Sequence, residues 1–144
     1  MEFPQPTQYF DTLGQARKSY GKALEPLCKQ WNLTRNELAV LLFLHNNPGF
    51  DRAADIVSHR GIAKSHVSLS VSVLEHRGFL QRQFAPNDRR TAHLALTPEG
   101  LAIAQAGRDL QEGFFRRIFA GISPEELNLW QTLIGKVQKN IETI

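Results

Sequence analysis

Between residues 61 and 96 the chain offers a helical stretch that runs straight into a hairpin, and few architectures accommodate that succession. Residues 62–77 place Val67, Val71 and Leu74 at four- and three-residue steps, the period of a helix with one buried face. Lys64, Ser65, Ser68, Ser72 and Glu75 fall on the opposite face, with His66 and Leu69 at its margins. Gly78 follows, suited to the left-handed backbone that ends a helix. Residues 79–84 and 91–96 then fit two short strands, the second alternating Ala92, Leu94 and Leu96 with Thr91, His93 and Ala95. Their tip reads Ala85-Pro86-Asn87-Asp88-Arg89-Arg90-Thr91. Upstream, Asp51 is suited to cap a short helix ending near His59, and Arg60-Gly61 supplies a turn before the next helix at about Ala63. Helix, turn, helix and basic hairpin describe a winged helix-turn-helix.

Such a unit can meet a DNA duplex at two places, with the helix in the major groove and the tip in a flanking minor groove, whose negative potential attracts arginine. The charge is placed accordingly. The chain carries a net +3 over 144 residues, yet residues 52–90 hold seven Lys/Arg against three Asp/Glu, leaving 10 against 11 elsewhere. A basic middle between near-neutral ends is the footprint of a module that meets phosphate. A winged-helix module that binds protein without sequence-specific DNA contact is the alternative, and it would need less basic charge at the tip.

The flanks are helical. Residues 1–6 hold two prolines and are expected to form a loose arm. Phe10, Leu13, Tyr20, Leu24, Leu27 and Trp31 then recur at helical spacing, and Pro26 is expected to kink or end that helix. Thr34 and Glu37 make a capping box for a second helix that Asn46-Asn47-Pro48-Gly49 stops. Thr97-Pro98-Glu99 opens a long helix to about Phe119, weakened inside by Gly107 and Gly113, and Gly121 breaks it. Ser123 to Glu126 opens a last helix, where Leu127, Trp130, Ile134, Val137 and Ile141 follow a three-four-three-four spacing. The fold class expected is mainly α with a small two-stranded β wing. Its parts are an arm and dimerisation helix over 1–33, a winged helix-turn-helix over 34–96, and C-terminal dimerisation helices over 97–144. Phe10, Leu13, Leu127, Trp130, Ile134 and Val137 are the residues expected to seal a homodimer, since a two-fold dimer doubles the contacts on a palindrome.

Four blocks in order resemble the multiple-antibiotic-resistance regulator (MarR) family of bacterial transcription factors. They are residues 61–68, Leu74-Glu75-His76-Arg77-Gly78-Phe79-Leu80, Asp88-Arg89-Arg90, and Leu96-Thr97-Pro98-Glu99-Gly100. The resemblance is strongest over 34–101. It implies a dimer that binds a palindromic operator and often releases it when a small, frequently aromatic, effector binds between the dimer and DNA-binding regions. It also implies that Arg90 enters the minor groove while Asp88 orients it, with Arg89 beside them. Lys64, Ser65, His66, Ser68 and Leu69 are the recognition-helix candidates. Two positions depart from the family pattern. Ala63 replaces a serine cap, and Leu69 stands where many members carry an arginine that could pair with guanine; leucine offers only apolar contact, such as to a thymine methyl.

Other chemistry is sparse. Cys28 is the only cysteine, which excludes an intrachain disulfide; it reads as a buried structural thiol, with peroxide sensing as the alternative. The five histidines show no metal-ligand spacing, and no nucleophile motif, phosphate loop or paired-acid signature suggests an enzyme. No cofactor is expected beyond a small aromatic effector, whose pocket Trp31, Phe43, Phe114, Phe115 or Trp130 could help line. With no secretory signal at Met1-Glu2-Phe3-Pro4 and no apolar run of roughly 20 residues, a cytoplasmic protein is expected.

Overall fold

The computed structural model describes residues 1–144. Six helices and one hairpin follow as α1 (Pro6–Trp31), α2 (Arg35–Asn46), α3 (Ala53–Arg60), α4 (Lys64–His76), β1 (Leu80–Ala85), β2 (Asp88–Leu96), α5 (Pro98–Ile118) and α6 (Pro124–Ile141). By packing, the chain divides into two compact units, residues 1–114 and 115–144. No helix is long and apolar enough to cross a membrane.

In the first unit α2 is the hub. Its Leu38, Val40, Leu41, Leu42 and Phe43 are buried in one cluster with Ile56 of α3, Val67, Val71 and Leu74 of α4, Leu80 of β1, Leu94 of β2 and Ile103 of α5. Truncating one of these leucines to alanine costs about 2–5 kcal/mol, enough to loosen every element that carries the site. Thr34 and Glu37 form the expected capping box at the start of α2, through bonds of 3.1 Å in both directions.

Two helix ends differ from expectation. α1 continues five residues past Pro26 instead of ending there. The proline removes one N–H, but Leu27 and Cys28 beyond it are buried in the core, and Leu33 N–H returns to the Cys28 carbonyl at 2.8 Å. That packing offsets the roughly 3 kcal/mol a proline costs inside a helix. Asp51 does not cap α3. The N-cap is Arg52, whose backbone N–H donates to Asp55 Oδ2 at 3.1 Å, and Asp51 is engaged elsewhere.

The glycines of α5 are also more than weak points. A Cβ on Gly107 would stand 2.7 Å from Leu42 Cδ2, so this glycine lets α5 press against α2. A Cβ on Gly100 would lie 1.9 Å from the Phe79 carbonyl oxygen, and only a glycine tolerates that backbone approach. Thr97 completes the joint: its hydroxyl donates to the Gly78 carbonyl at 2.6 Å and accepts from Gly100 N–H at 3.1 Å. The Gly-Phe and Thr-x-x-Gly blocks therefore form one lock, fastening the end of α4 to the start of α5.

In the second unit Ser123 and Glu126 form a reciprocal cap at 3.1 Å, and α6 follows with no buried residue. Phe119 meets Trp130 edge-on, with ring centroids 5.9 Å apart.

Candidate nucleic-acid interface

The helix-turn-helix is formed by α3 and α4. Gly61, at φ +64°, makes the left-handed turn between them, a conformation that glycine adopts without a Cβ penalty. Ala63 stands at the N-cap of α4 and supplies no side-chain cap, so the helix's first N–H groups are left open to solvent or to an acceptor from outside. Val67, Val71 and Leu74 point into the core together with Ser70. Lys64, Ser65, His66, Ser68 and Leu69 all stand on the exposed side, and Leu69 is 65% exposed despite being apolar.

At its far end α4 is held in two ways. Glu75 accepts from the Arg82 side chain at 2.6 Å and from its backbone N–H at 3.2 Å, which ties the helix to β1. Arg77 donates to the carbonyls of Trp31 and Asn32 at the end of α1 and lies 4.9 Å above the Phe79 ring. Arg82 and Arg77 are thus structural cations.

The hairpin is shorter at its tip than expected: the turn is only Pro86-Asn87, and β2 already begins at Asp88. Its register is uneven. The ladder pairs Gln83 with His93 and then Ala85 with Asp88. Between those pairs β1 contributes Phe84 alone, while β2 contributes Arg89, Arg90, Thr91 and Ala92. Such a bulge leaves backbone groups without strand partners and redirects the side chains it carries. Asp88 Oδ1 satisfies two of them, accepting from the backbone N–H of Arg90 at 2.9 Å and of Thr91 at 3.3 Å. The Arg90 bond is the main reason the Asp88 carboxyl titrates below its ordinary range. The carboxylate therefore does not clasp the Arg90 guanidinium, as a fork-shaped pair would; it shapes the main chain that carries it. Arg89, Arg90 and Lys64 are exposed and form no ion pair within the chain.

Further contacts carried no sequence signal strong enough to find them. Asp51 accepts from Leu94 N–H through its carbonyl at 2.7 Å and from His93 Nδ1 through its carboxylate at 2.8 Å. His59 packs between Phe43 and Phe50, with ring centroids 5.9 and 4.7 Å away. A cavity of about 370 Å³ opens among α1, α2 and the end of α3, bounded in part by Arg17, Arg35 and Arg60. Cys28 and Phe43 reach its wall; Trp31, Phe114, Phe115 and Trp130 do not. On one rim Gln111 donates to the Tyr20 hydroxyl at 2.6 Å and accepts from Asn46 at 2.8 Å. Burial pushes the Cys28 thiol above its ordinary range, which favours the protonated form. No three His, Cys, Asp or Glu side chains stand together as metal ligands.

The residues expected to seal a dimer are mostly open. Phe10 and Leu13 on α1, and Trp130, Ile134 and Val137 on α6, are 44–67% exposed, with Leu127 half-buried.

A helix-turn-helix followed by an antiparallel wing defines a winged helix-turn-helix protein. Residues 31–91, covering that unit to the wing's arginines, match the model of the MarR family. The regulator PecS of Dickeya dadantii (strain 3937) is 26% identical over 139 residues, 95% of this chain and 84% of that protein. Among solved structures, a MarR-family regulator from Listeria monocytogenes in complex with a 26mer DNA is similar with a TM-score of 0.81. It is 19% identical, and the match covers 98% of this chain and 90% of that one. BpsR of Bordetella bronchiseptica, whose DNA binding is regulated by 6-hydroxynicotinic acid, is similar with a TM-score of 0.70 at 24% identity, over 91% and 98% of the two chains. Over the helix-turn-helix and wing the chain thus matches the MarR-family model, and over nearly its whole length it is similar to transcriptional regulators.

Proposed function

We propose that this regulator binds a palindromic operator as a homodimer and represses transcription until a small organic anion releases it. The observation that carries the DNA reading is the set of cations the fold leaves unspent. Lys64 at the start of α4 and Arg89 and Arg90 on the wing bulge are exposed and unpaired, whereas Arg77 and Arg82 nearby are consumed by structural contacts. Ser65, His66, Ser68 and Leu69 stand on the same exposed side of α4, where they can reach base edges in a major groove. Lys64 and the open N–H groups beside Ala63 suit a phosphate. Arg90 is assigned to the minor groove, with Asp88 setting its backbone. The homodimer is supported by Phe10 and Leu13 near the start of α1 and by the apolar side chains along α6, which stand exposed.

The effector reading rests on the cavity. Arg17, Arg35 and Arg60 reach it and no carboxylate does, so a ligand with a carboxylate meets guanidinium partners there. Leu24, Leu38, Leu42 and Phe43 supply an apolar wall for a ring. That a structural relative answers to an aromatic acid accords with this chemistry. Arg60 and Ile62 flank the Gly61 turn, so an occupant would touch the hinge between α3 and α4 directly.

The test is fluorescence anisotropy on a labelled inverted-repeat duplex selected by the protein, with benzoate or benzamide added. Tight binding that falls with salt and is weakened by benzoate but not by benzamide is expected. Binding of random duplex as tight as of the selected one would overturn the operator reading, and equal response to both additives would overturn the anion.

A further inference from the structure

We propose that Asp51 and His93 are a positioning pair for the wing, setting where Arg89 and Arg90 stand without touching DNA themselves. The inference rests on the operator reading above and adds a part to it. A two-stranded hairpin is at best marginally stable alone, so its direction has to come from what fastens it. At its base the fastening is apolar and ionic: Leu80 and Leu94 are buried, Leu96 packs against the core, and Glu75 of α4 holds Arg82 of β1 at 2.6 Å. Beyond Leu94 toward the tip, β2 has one polar tie to the helical body, and that tie is doubled at a single residue. Asp51 holds Leu94 through its carbonyl at 2.7 Å and His93 through its carboxylate at 2.8 Å.

Everything on β2 farther out is half-buried or exposed, and the bulge that displays the arginines begins at the next residue, Ala92. Arg90 lies three residues beyond His93, at most about 10 Å along a strand rising about 3.3 Å per residue. A swing of roughly ten degrees at the anchor would move it almost 2 Å, enough to misplace a guanidinium in a groove about 6 Å wide. Asp51 also ends the segment that leaves α2 at Asn46-Asn47, and both asparagines border the cavity. Phe50, its neighbour, packs on His59 of α3. The wing is therefore anchored to a loop whose first residues border the cavity, which gives an occupant a short physical route to the arginines.

The experiment compares wild type, Asp51→Ala, His93→Ala, His93→Asn, Arg90→Ala and Asp51→Ala/Arg90→Ala on the selected inverted-repeat duplex. Asp51→Ala and His93→Ala are expected to weaken binding by about five- to twentyfold, the scale of one lost charge-assisted contact that is partly solvated. His93→Asn, which keeps a donor in the place of Nδ1, should recover most of the loss. In the Arg90→Ala background Asp51→Ala should cost less than about twofold, because the minor-groove arginine it positions is gone and only Arg89 is left to misplace. Amide relaxation of residues 89–91, measured without DNA, should show faster motion in Asp51→Ala than in wild type. An equal loss in both backgrounds would mean general damage to the fold and overturn the proposal. So would tighter binding by Asp51→Ala, which would make the carboxylate a mere repeller of phosphate, or unchanged amide dynamics. If Arg90→Ala itself is neutral on a duplex that wild type binds, the operator reading of the wing fails instead, and the relaxation data still judge the anchor.

Discussion

Gly21→Ala is a one-methyl probe of the cavity, because the methyl group falls where Arg35 now lies. A Cβ on Gly21 would stand 2.9 Å from Arg35 Nη1, 3.1 Å from Cζ and 3.3 Å from Nη2. Side chains do not approach so closely, so the guanidinium must shift from its place at the cavity wall. It is the far end of a flexible side chain, and its departure costs the fold little. Gly21 also sits inside α1 with an ordinary helical backbone, where alanine is favoured over glycine by about 1 kcal/mol. The substitution should therefore hold or raise stability while weakening ligand binding. A bond between a guanidinium and a carboxylate contributes roughly 1.5–3 kcal/mol, so the dissociation constant for benzoate should rise roughly ten- to 150-fold. Calorimetric titration with benzoate, alongside a urea unfolding curve, reads both effects. Arg35→Ala should lose the same amount, and the double variant no more than either single one. The reasoning is refuted if Gly21→Ala binds benzoate as wild type does, or if it loses binding only in step with a lowered unfolding midpoint.

Three further outcomes follow from the interface. Asp88→Ala should weaken operator binding several-fold although it removes a negative charge from a DNA-facing surface, whereas Asp88→Asn keeps an acceptor for the Arg90 and Thr91 amides and should bind as well as wild type; titration of the three proteins on one duplex distinguishes them. Leu69→Arg should shift the preferred base toward guanine in a selection from randomised half-sites, because arginine can bond O6 and N7 together; unchanged preference would mean this side chain meets no base. Ile134→Asp should convert a species of twice the chain mass into a monomer in sedimentation at micromolar concentration, since the side chain is 44% exposed and a carboxylate there harms only a buried interface.

Much of this architecture was legible in the sequence because it rests on local rules. The caps at Thr34 and Ser123, the turn at Gly61, the left-handed Gly78, and the Val67, Val71 and Leu74 stripe each depend on residues within a few positions of one another. Expectations failed where a distant partner decided the outcome. Pro26 reads as a kink or an end, yet core burial of its two successors carries α1 onward to Trp31. Asp51 reads as a cap, but His93 and Leu94, over forty positions away, claim it. Gly100 reads as part of a motif, and only the Phe79 carbonyl lying against it gives the reason. The candidate interface was legible in its cations and polar helix face, but which arginines remained free was not. Arg77, Arg82, Arg89 and Arg90 look alike in a string, and tertiary partners sort them into structural and available sets. That Asp88 acts on the main chain was not legible for the same reason, since the bulge that needs it exists only once the strands are paired.

Selection of duplexes from a fully randomised library at physiological salt, run in parallel on wild type and Arg90→Ala, tests the central claim most directly. The account predicts that wild type enriches an inverted repeat with half-sites about 10–10.5 base pairs apart and A·T-rich flanks where the wings reach. Arg90→Ala should bind the recovered sequence about 1–3 kcal/mol more weakly and lose the A·T preference at the flanks. A library that emerges unenriched, or a selected repeat that Arg90→Ala binds equally well, would contradict it.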